Sequence, residues 1–151
     1  MSPERAVQEV MARYVRAVDS RDSDALVALY TPDGQERLSY NRNGIHEPIA
    51  AFRGEEELRV ALATFLPPHQ PGEWAHHATF DHLVSVQEDR ANLQAQFVVY
   101  VVTESATSPE AQLTGYYDWE LVQIDGTWLI ADNSTILTVP IPATDVAAPE
   151  S

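Results

Sequence analysis

The sequence contains no cysteine among its 151 residues. It therefore has no disulfide framework, no thiolate metal site and no cysteine nucleophile. Basic residues are also scarce, with 9 Lys and Arg against 23 Asp and Glu, and the formal net charge is -14. This charge would repel nucleic-acid phosphates and anionic lipid surfaces, so we expect the protein to bind neither nucleic acid nor membranes.

Long apolar runs are missing as well. No stretch reaches the roughly 18 apolar residues that a membrane helix requires, and the opening MSPERAVQEV has no basic segment followed by an apolar one. We therefore expect a cytoplasmic protein, which the lack of cysteine also allows. The 44% hydrophobic content suffices for one core. It predicts a single domain over residues 1–139, followed by a flexible Pro- and Ala-rich tail over residues 140–151.

The first part of the chain has helical periodicity. Apolar side chains recur at three- and four-residue spacing from about Pro3 to Ser20, which predicts an amphipathic helix. A second helix is expected to begin after a cap at Asp22 or Ser23, to carry Tyr30 and to end at the sequence TPDG.

The middle of the chain is less regular. Residues 35–53 show no sustained period and predict a short strand plus a loop. Three consecutive glutamates then precede an apolar stripe that ends at two prolines, which predicts a third helix from Gly54 to Phe65. Beyond Gly72 the period becomes two. This change predicts an antiparallel meander of strands over residues 75–86, 93–103, 113–124 and 127–139.

Two stretches resemble a known superfamily. The opening VMARYVRAVDSRDSDALVALYTPDG is similar to the two-helix start of ketosteroid isomerases and SnoaL-like polyketide cyclases, and GYYDWELVQIDGTWLIAD is similar to their last hairpin. With the order of elements between them, the resemblance covers most of residues 3–139. The group that the chain resembles is the SnoaL-like branch of the nuclear-transport-factor-2-like superfamily. It implies an α+β fold in which a cone-shaped, curved antiparallel sheet wraps the N-terminal helices as a barrel and encloses a pocket.

The resemblance implies three catalytic candidates. Tyr14 lies on the apolar stripe of the first helix, where ketosteroid isomerases place a hydrogen-bond donor to a substrate oxygen. Asp19 matches an aspartate that supports a catalytic histidine in scytalone dehydratase. His77 begins the first long strand, and imidazole is a natural proton shuttle at neutral pH. Two of them have a structural alternative: Tyr14 as a core tyrosine with a satisfied hydroxyl, and Asp19 as a helix-ending or capping residue.

The histidine facing the pocket is left open by the sequence. Strand alternation places His77 with Asp81 on one face, and His76 with His82 on the other, so only one pair can point inward. His76 and His82 would be about 20 Å apart on an extended strand, too far to share an ion. We therefore predict no metal site, and no cofactor for the proton chemistry.

Aromatic residues are expected to line the pocket. Tyr117 and Trp119 share one face of the third long strand, opposite two acidic residues. The further predicted lining residues are Tyr30, Tyr40, Phe65 and Tyr100. The chain also departs from its relatives. Leu38 stands where ketosteroid isomerases carry their general base, and Val102 is close to the place of a second histidine in scytalone dehydratase.

Two functions follow as hypotheses. One is a cofactor-independent lyase, isomerase or cyclase that transfers a proton on a small apolar polyketide-, steroid- or terpenoid-like molecule. The other is a non-catalytic module of the same fold that binds a small molecule or dimerises. In both cases we expect a homodimer, because two-fold dimers are the commonest soluble oligomers.

Overall fold

The computed structural model describes residues 1–141, so the predicted tail from residue 142 onward lies outside the described residues. Three helices and six strands make up this part of the chain. In chain order they are α1 (Pro3–Ser20), α2 (Ser23–Val27), β1 (Tyr30–Arg42), β2 (Ile45–Arg53), α3 (Gly54–Phe65), β3 (Trp74–Gln87), β4 (Arg90–Val102), β5 (Glu110–Ile124) and β6 (Thr127–Leu137).

Helix α1 forms as its apolar spacing predicts. The Ser2 hydroxyl caps it by accepting a hydrogen bond from the Arg5 amide at 3.2 Å. Its buried face consists of Val7, Val10, Met11, Tyr14, Ala17 and Val18. The helix packs against β3, β4 and β6. No helix in residues 1–141 is both long and apolar enough to cross a membrane.

The six strands form one curved sheet in the order β2-β1-β6-β5-β4-β3. The predicted meander of β3 to β6 is confirmed, with every successive pair antiparallel. Strand β1 adds to the other side of β6 in parallel. The α+β architecture with a curved sheet around the helices is therefore confirmed. The description as a barrel is wrong, because β2 and β3 remain unpaired edges within the described part of the chain.

The segment predicted as a short strand and loop is a long hairpin. Strands β1 and β2 pair antiparallel, and their turn contains Asn43 at φ 51° and Gly44 at φ 86°. Two consecutive residues with positive φ make the tight turn that suits the twist of a hairpin, and Asn-Gly favours it. The second helix ends at Val27, so Tyr30 begins β1 rather than ending that helix.

A bulge in β3 changes which side chains face inward. The register with β4 shifts between Phe80 and Leu83, where Asp81 has a φ of 55°. Asp81 points outward and accepts a hydrogen bond from Gln96. His82 is half-buried and lies 3.0 Å from the Thr79 hydroxyl. The predicted pairing of His77 with Asp81 on one face is therefore wrong, because simple alternation fails at the bulge.

Candidate functional site

A cavity of about 120 Å³ lies between the helices and the concave face of the sheet. Its walls are mostly apolar, and residues from α1, α3 and several strands contribute to it. The polar side chains that line it are Tyr14, Glu36, His77, Tyr117 and Thr135. A mostly apolar cavity with a few convergent polar groups has the composition of a small-molecule site.

Asp19 and His77 form a hydrogen-bonded pair at this cavity. Asp19 Oδ1 lies 2.5 Å from His77 Nδ1, and the His77 backbone amide donates to both carboxylate oxygens at 3.0 and 3.1 Å. The side chains are only 13% and 7% exposed. Three hydrogen bonds from one residue therefore hold this carboxylate in place.

The hydrogen bonds also assign the proton on the His77 ring. A carboxylate only accepts, so Nδ1 carries the hydrogen and donates it to Asp19. Nε2 is then the basic nitrogen of the neutral ring, and it has no hydrogen-bond partner among the described residues. The ring lines the cavity and stacks on Phe97, with centroids 6.3 Å apart. His76 is exposed, so the inward histidine is His77.

Hydrogen bonds hold the C-terminal end of α1, which carries Asp19, in place. A carboxylate in the last helical turn is unfavourable beside the partial negative charge of that terminus, so its position depends on other partners. His69 Nε2 donates to the Asp19 carbonyl oxygen at 2.6 Å. Arg21 donates to the carbonyl oxygens of Val18 at 2.8 Å and Pro67 at 3.1 Å. These bonds fix the backbone that carries the carboxylate.

Tyr14 reaches the same cavity from α1. Its hydroxyl lies 3.5 Å from Glu36 Oε1, a long and weak hydrogen bond. Its ring packs edge-on against Tyr117 and Trp119, at centroid distances of 5.8 and 4.8 Å. Burial raises the pKa of Tyr14 well above its usual value. The hydroxyl therefore stays protonated at neutral pH and acts as a donor.

Glu36 is a candidate that the sequence prediction missed. It lies on β1 with its carboxyl group at the cavity. Burial raises the pKa of Glu36 from 4.5 to about 7, although hydrogen bonds with Tyr14 and Tyr30 act in the opposite direction. The sequence signal for Glu36 is its two-residue spacing from Leu38, which places both side chains on one face of a strand. That signal can be used only when β1 is known to be extended. Leu38 itself lines the cavity.

A buried network stands behind Glu36. Asn133, fully buried on β6, accepts hydrogen bonds from Trp119 Nε1 at 2.8 Å and the Thr135 hydroxyl at 2.9 Å. Its amide nitrogen donates to the Tyr30 hydroxyl at 2.9 Å. Because that hydroxyl oxygen is already an acceptor, its own proton is free to point toward Glu36. The network therefore presents donors to the carboxyl group.

The structure places some of the remaining predicted lining residues at the cavity and the others away from it. Phe65 and Tyr117 border the cavity. Trp119 and Tyr30 do not, because both are buried in the core with their polar atoms bonded to Asn133. Two others also lie away from it: the Tyr40 ring packs beneath the Arg42 guanidinium, and Tyr100 lies exposed on the outer side of β4.

The two departures from related enzymes also have defined places. Leu38 borders the cavity as an apolar wall. Val102 ends β4, pairs with Trp74 and does not reach the cavity. Within residues 1–141 no group of three or more His, Asp or Glu side chains is arranged to hold a metal ion.

The family assignment rests on a sequence match over most of the chain. The sequence model of the SnoaL-like domain matches residues 1–133. The chain belongs to the SnoaL-like domain family. No curated protein is significantly similar to this SnoaL-like domain in sequence.

Solved structures of other proteins share the fold of this domain. ActVI-ORFA from Streptomyces coelicolor has a TM-score of 0.73 at 17% identity, over 88% of this chain and 95% of its own. A candidate scytalone dehydratase from Novosphingobium aromaticivorans has a TM-score of 0.67 at 20% identity, over 89% and 83%. The beta subunit of a candidate aromatic-ring-hydroxylating dioxygenase from the same organism has a TM-score of 0.76 at 15% identity, over 93% and 92%. These likenesses establish the fold alone.

Proposed function

We propose that this SnoaL-like domain is a cofactor-independent lyase, isomerase or cyclase that removes a proton next to a carbonyl group. The observation that carries the proposal is the orientation of His77. Its Nδ1 is committed to Asp19, and the rest of its ring lines a cavity shared with the Tyr14 hydroxyl. A base and a hydrogen-bond donor at one small cavity are the two groups that enolisation requires.

Each group has one role in the proposed reaction. His77 Nε2 takes the proton from the carbon next to the carbonyl, and the Asp19 carboxylate stabilises the imidazolium that results. Negative charge then develops on the carbonyl oxygen, and Tyr14 donates a hydrogen bond to it. No cofactor is part of the proposal, because side chains hold both the proton and the charge.

The cavity limits the part of the substrate that reacts. Its volume of about 120 Å³ is close to the roughly 150 Å³ of an engineered cavity that holds benzene, so it accommodates about one ring. A wider groove of about 770 Å³ shares Phe65, Leu66, Leu113 and Ile141 with it. For a polyketide-, steroid- or terpenoid-like molecule, we propose that one ring reacts inside while the remainder extends into this groove.

The test uses exchange of carbon-bound hydrogen in a one-ring ketone. Cyclohexanone is incubated with the protein in D₂O, and deuterium incorporation next to the carbonyl is followed by NMR. We expect His77→Gln and Asp19→Asn each to slow this exchange by about 10²-fold or more. His76→Gln, which changes the outward neighbour, is the matched control and should exchange at the wild-type rate. Equal rates for wild type and His77→Gln would refute the role of His77.

The second candidate is a binding or dimerisation module whose partner is a second copy of the chain. It is favoured by exposed apolar side chains on the outer face of β3 and β5, namely Phe80, Leu83 and Tyr116. The fold is also that of the dioxygenase beta subunit. Sedimentation of wild type and Leu83→Lys tests it: we expect a dimer that the lysine dissociates. A wild-type monomer at high concentration would refute it. Cytoplasmic location stays a prediction.

A further inference from the structure

Glu36 and His77 approach the cavity from different walls. Glu36 lies on β1 and His77 on β3, and strands β6, β5 and β4 separate these two strands in the sheet. Five strands in a flat sheet would span about 19 Å from first to last, so it is the curvature of the sheet that brings both side chains to one cavity. A small molecule in the cavity therefore lies between a carboxyl group and an imidazole.

The surroundings of Glu36 favour its neutral form. Burial is the main cause, because it disfavours the charged carboxylate; the phenols of Tyr14 from α1 and Tyr30 from β1 act in the opposite direction, and no basic side chain contributes. Tyr117 from β5 faces the same region and is itself a neutral phenol, because burial raises its pKa. With a pKa raised to about 7, a large share of Glu36 carries a proton at neutral pH. Such a carboxyl group can donate that proton.

The spacing of Tyr14 and Glu36 indicates what they would bind. Their oxygens lie 3.5 Å apart, which is long for a hydrogen bond and leaves both groups available. Two oxygens on carbons separated by one further carbon lie at a similar distance from each other. A carbonyl oxygen could therefore meet Tyr14 while a hydroxyl group on the β carbon meets Glu36.

We propose that Glu36 is the general acid of a dehydration and that the substrate is a β-hydroxy carbonyl compound. This inference rests on the proposed role of His77. His77 Nε2 takes the proton from the α carbon, and the electron pair of that C–H bond forms the C=C bond. The bond from the β carbon to oxygen breaks, and the Glu36 proton joins the departing oxygen as water. Proton exchange with solvent then returns imidazolium and carboxylate to their starting forms.

Two ketone probes separate the two roles. Cyclohexanone has no leaving group and reports proton abstraction by deuterium exchange. β-Hydroxycyclohexanone reports elimination by the ultraviolet absorbance of cyclohexenone. We expect Glu36→Gln to lower the ratio of the elimination rate to the cyclohexanone exchange rate by about 10²-fold relative to wild type. His77→Gln should slow both reactions. Glu120→Gln, which changes an exposed carboxylate on the outer face of β5, is the matched control.

Each other outcome overturns a defined part of the proposal. If Glu36→Gln eliminates water at the wild-type rate, or slows exchange as much as elimination, Glu36 is not the acid, whereas the base assignment to His77 stands. If His77→Gln exchanges normally, the proposed function fails. If wild type acts on neither ketone, both proposals fail. Should Glu36→Gln not fold, the wild-type pH profile decides: elimination should fall relative to exchange as pH rises through about 7, and a constant ratio overturns the proposal.

Discussion

Replacement of Glu36 by Gln should change how stability depends on pH. Burial raises the pKa of this carboxyl group from 4.5 to about 7. Between these values the folded protein holds a proton that the unfolded chain has released. The stabilisation that this bound proton gives the folded protein is fully present below about pH 4.5 and is lost as pH rises through 7. The contribution of Glu36 to the free energy of unfolding therefore falls across this window.

The size of this effect follows from the pKa shift. Each pKa unit is equivalent to about 1.36 kcal/mol, so a rise from 4.5 to about 7 corresponds to roughly 3 kcal/mol. Gln has nearly the same shape and does not titrate. Relative to wild type, Glu36→Gln should therefore gain about 3 kcal/mol between pH 4 and pH 8. It should be the more stable protein at the upper end of this range.

Urea unfolding of both proteins across this range measures the difference. Linear extrapolation at each pH gives the free energies of unfolding, and subtraction of wild type from variant removes the titrations that the two share. The same series for Glu120→Gln is the control, because that side chain is exposed and should give a nearly constant difference. A pH-independent difference for Glu36→Gln would refute the claim that burial destabilises the Glu36 carboxylate.

Two other substitutions test neighbouring parts of the site. Tyr14→Phe removes a hydrogen bond that lowers the pKa of Glu36. When Glu36→Gln is compared with its parent in the Tyr14→Phe protein, the midpoint of the stability difference should therefore move to higher pH, and an unmoved midpoint would contradict the contact. Cyclohexanone exchange by Tyr14→Phe should slow by about 10²-fold. Gly115→Ala would place a methyl group against the Ile136 carbonyl and 2.8 Å from the Phe97 ring, so thermal unfolding should reveal a loss of about 1–3 kcal/mol, and wild-type stability would contradict this packing.

The fold follows largely from local signals in the sequence. The apolar spacing of α1 and the period-two strands after Gly72 correspond to the observed elements. The hairpin of β1 and β2 was missed because its strands contain Pro, Gly and many polar residues, although Asn43-Gly44 was a turn signal. The bulge at Asp81 was also invisible, since nothing in the strand pattern marks where one extra residue enters. Long-range pairing of β1 with β6 decides the first case, and backbone geometry decides the second.

The same distinction between local signals and long-range pairing separates the cavity residues that the sequence predicts from those that it does not. The helix stripe predicts the inward direction of Tyr14, and the resemblance implies Asp19 and His77 as its partners, although strand alternation alone leaves open whether His76 or His77 points inward. The places of Tyr30 and Trp119 could not be predicted, because their partner Asn133 approaches them only after β1 and β5 pair on either side of β6. Such a network depends on the order of strands in the sheet. Periodicity within a single segment carries no information about that order.

The position of Glu36 shows why an apparent loss of a catalytic group can be misleading. Ketosteroid isomerases, which this chain resembles, carry their general base at the place of Leu38, so the sequence alone indicates that this base is missing. A shift of two residues along a strand keeps the side chain on the same face and moves it by about 6.6 Å. Glu36 thus returns a carboxyl group to the cavity beside Tyr14. The face that a residue occupies, more than its alignment position, decides which chemistry the cavity retains.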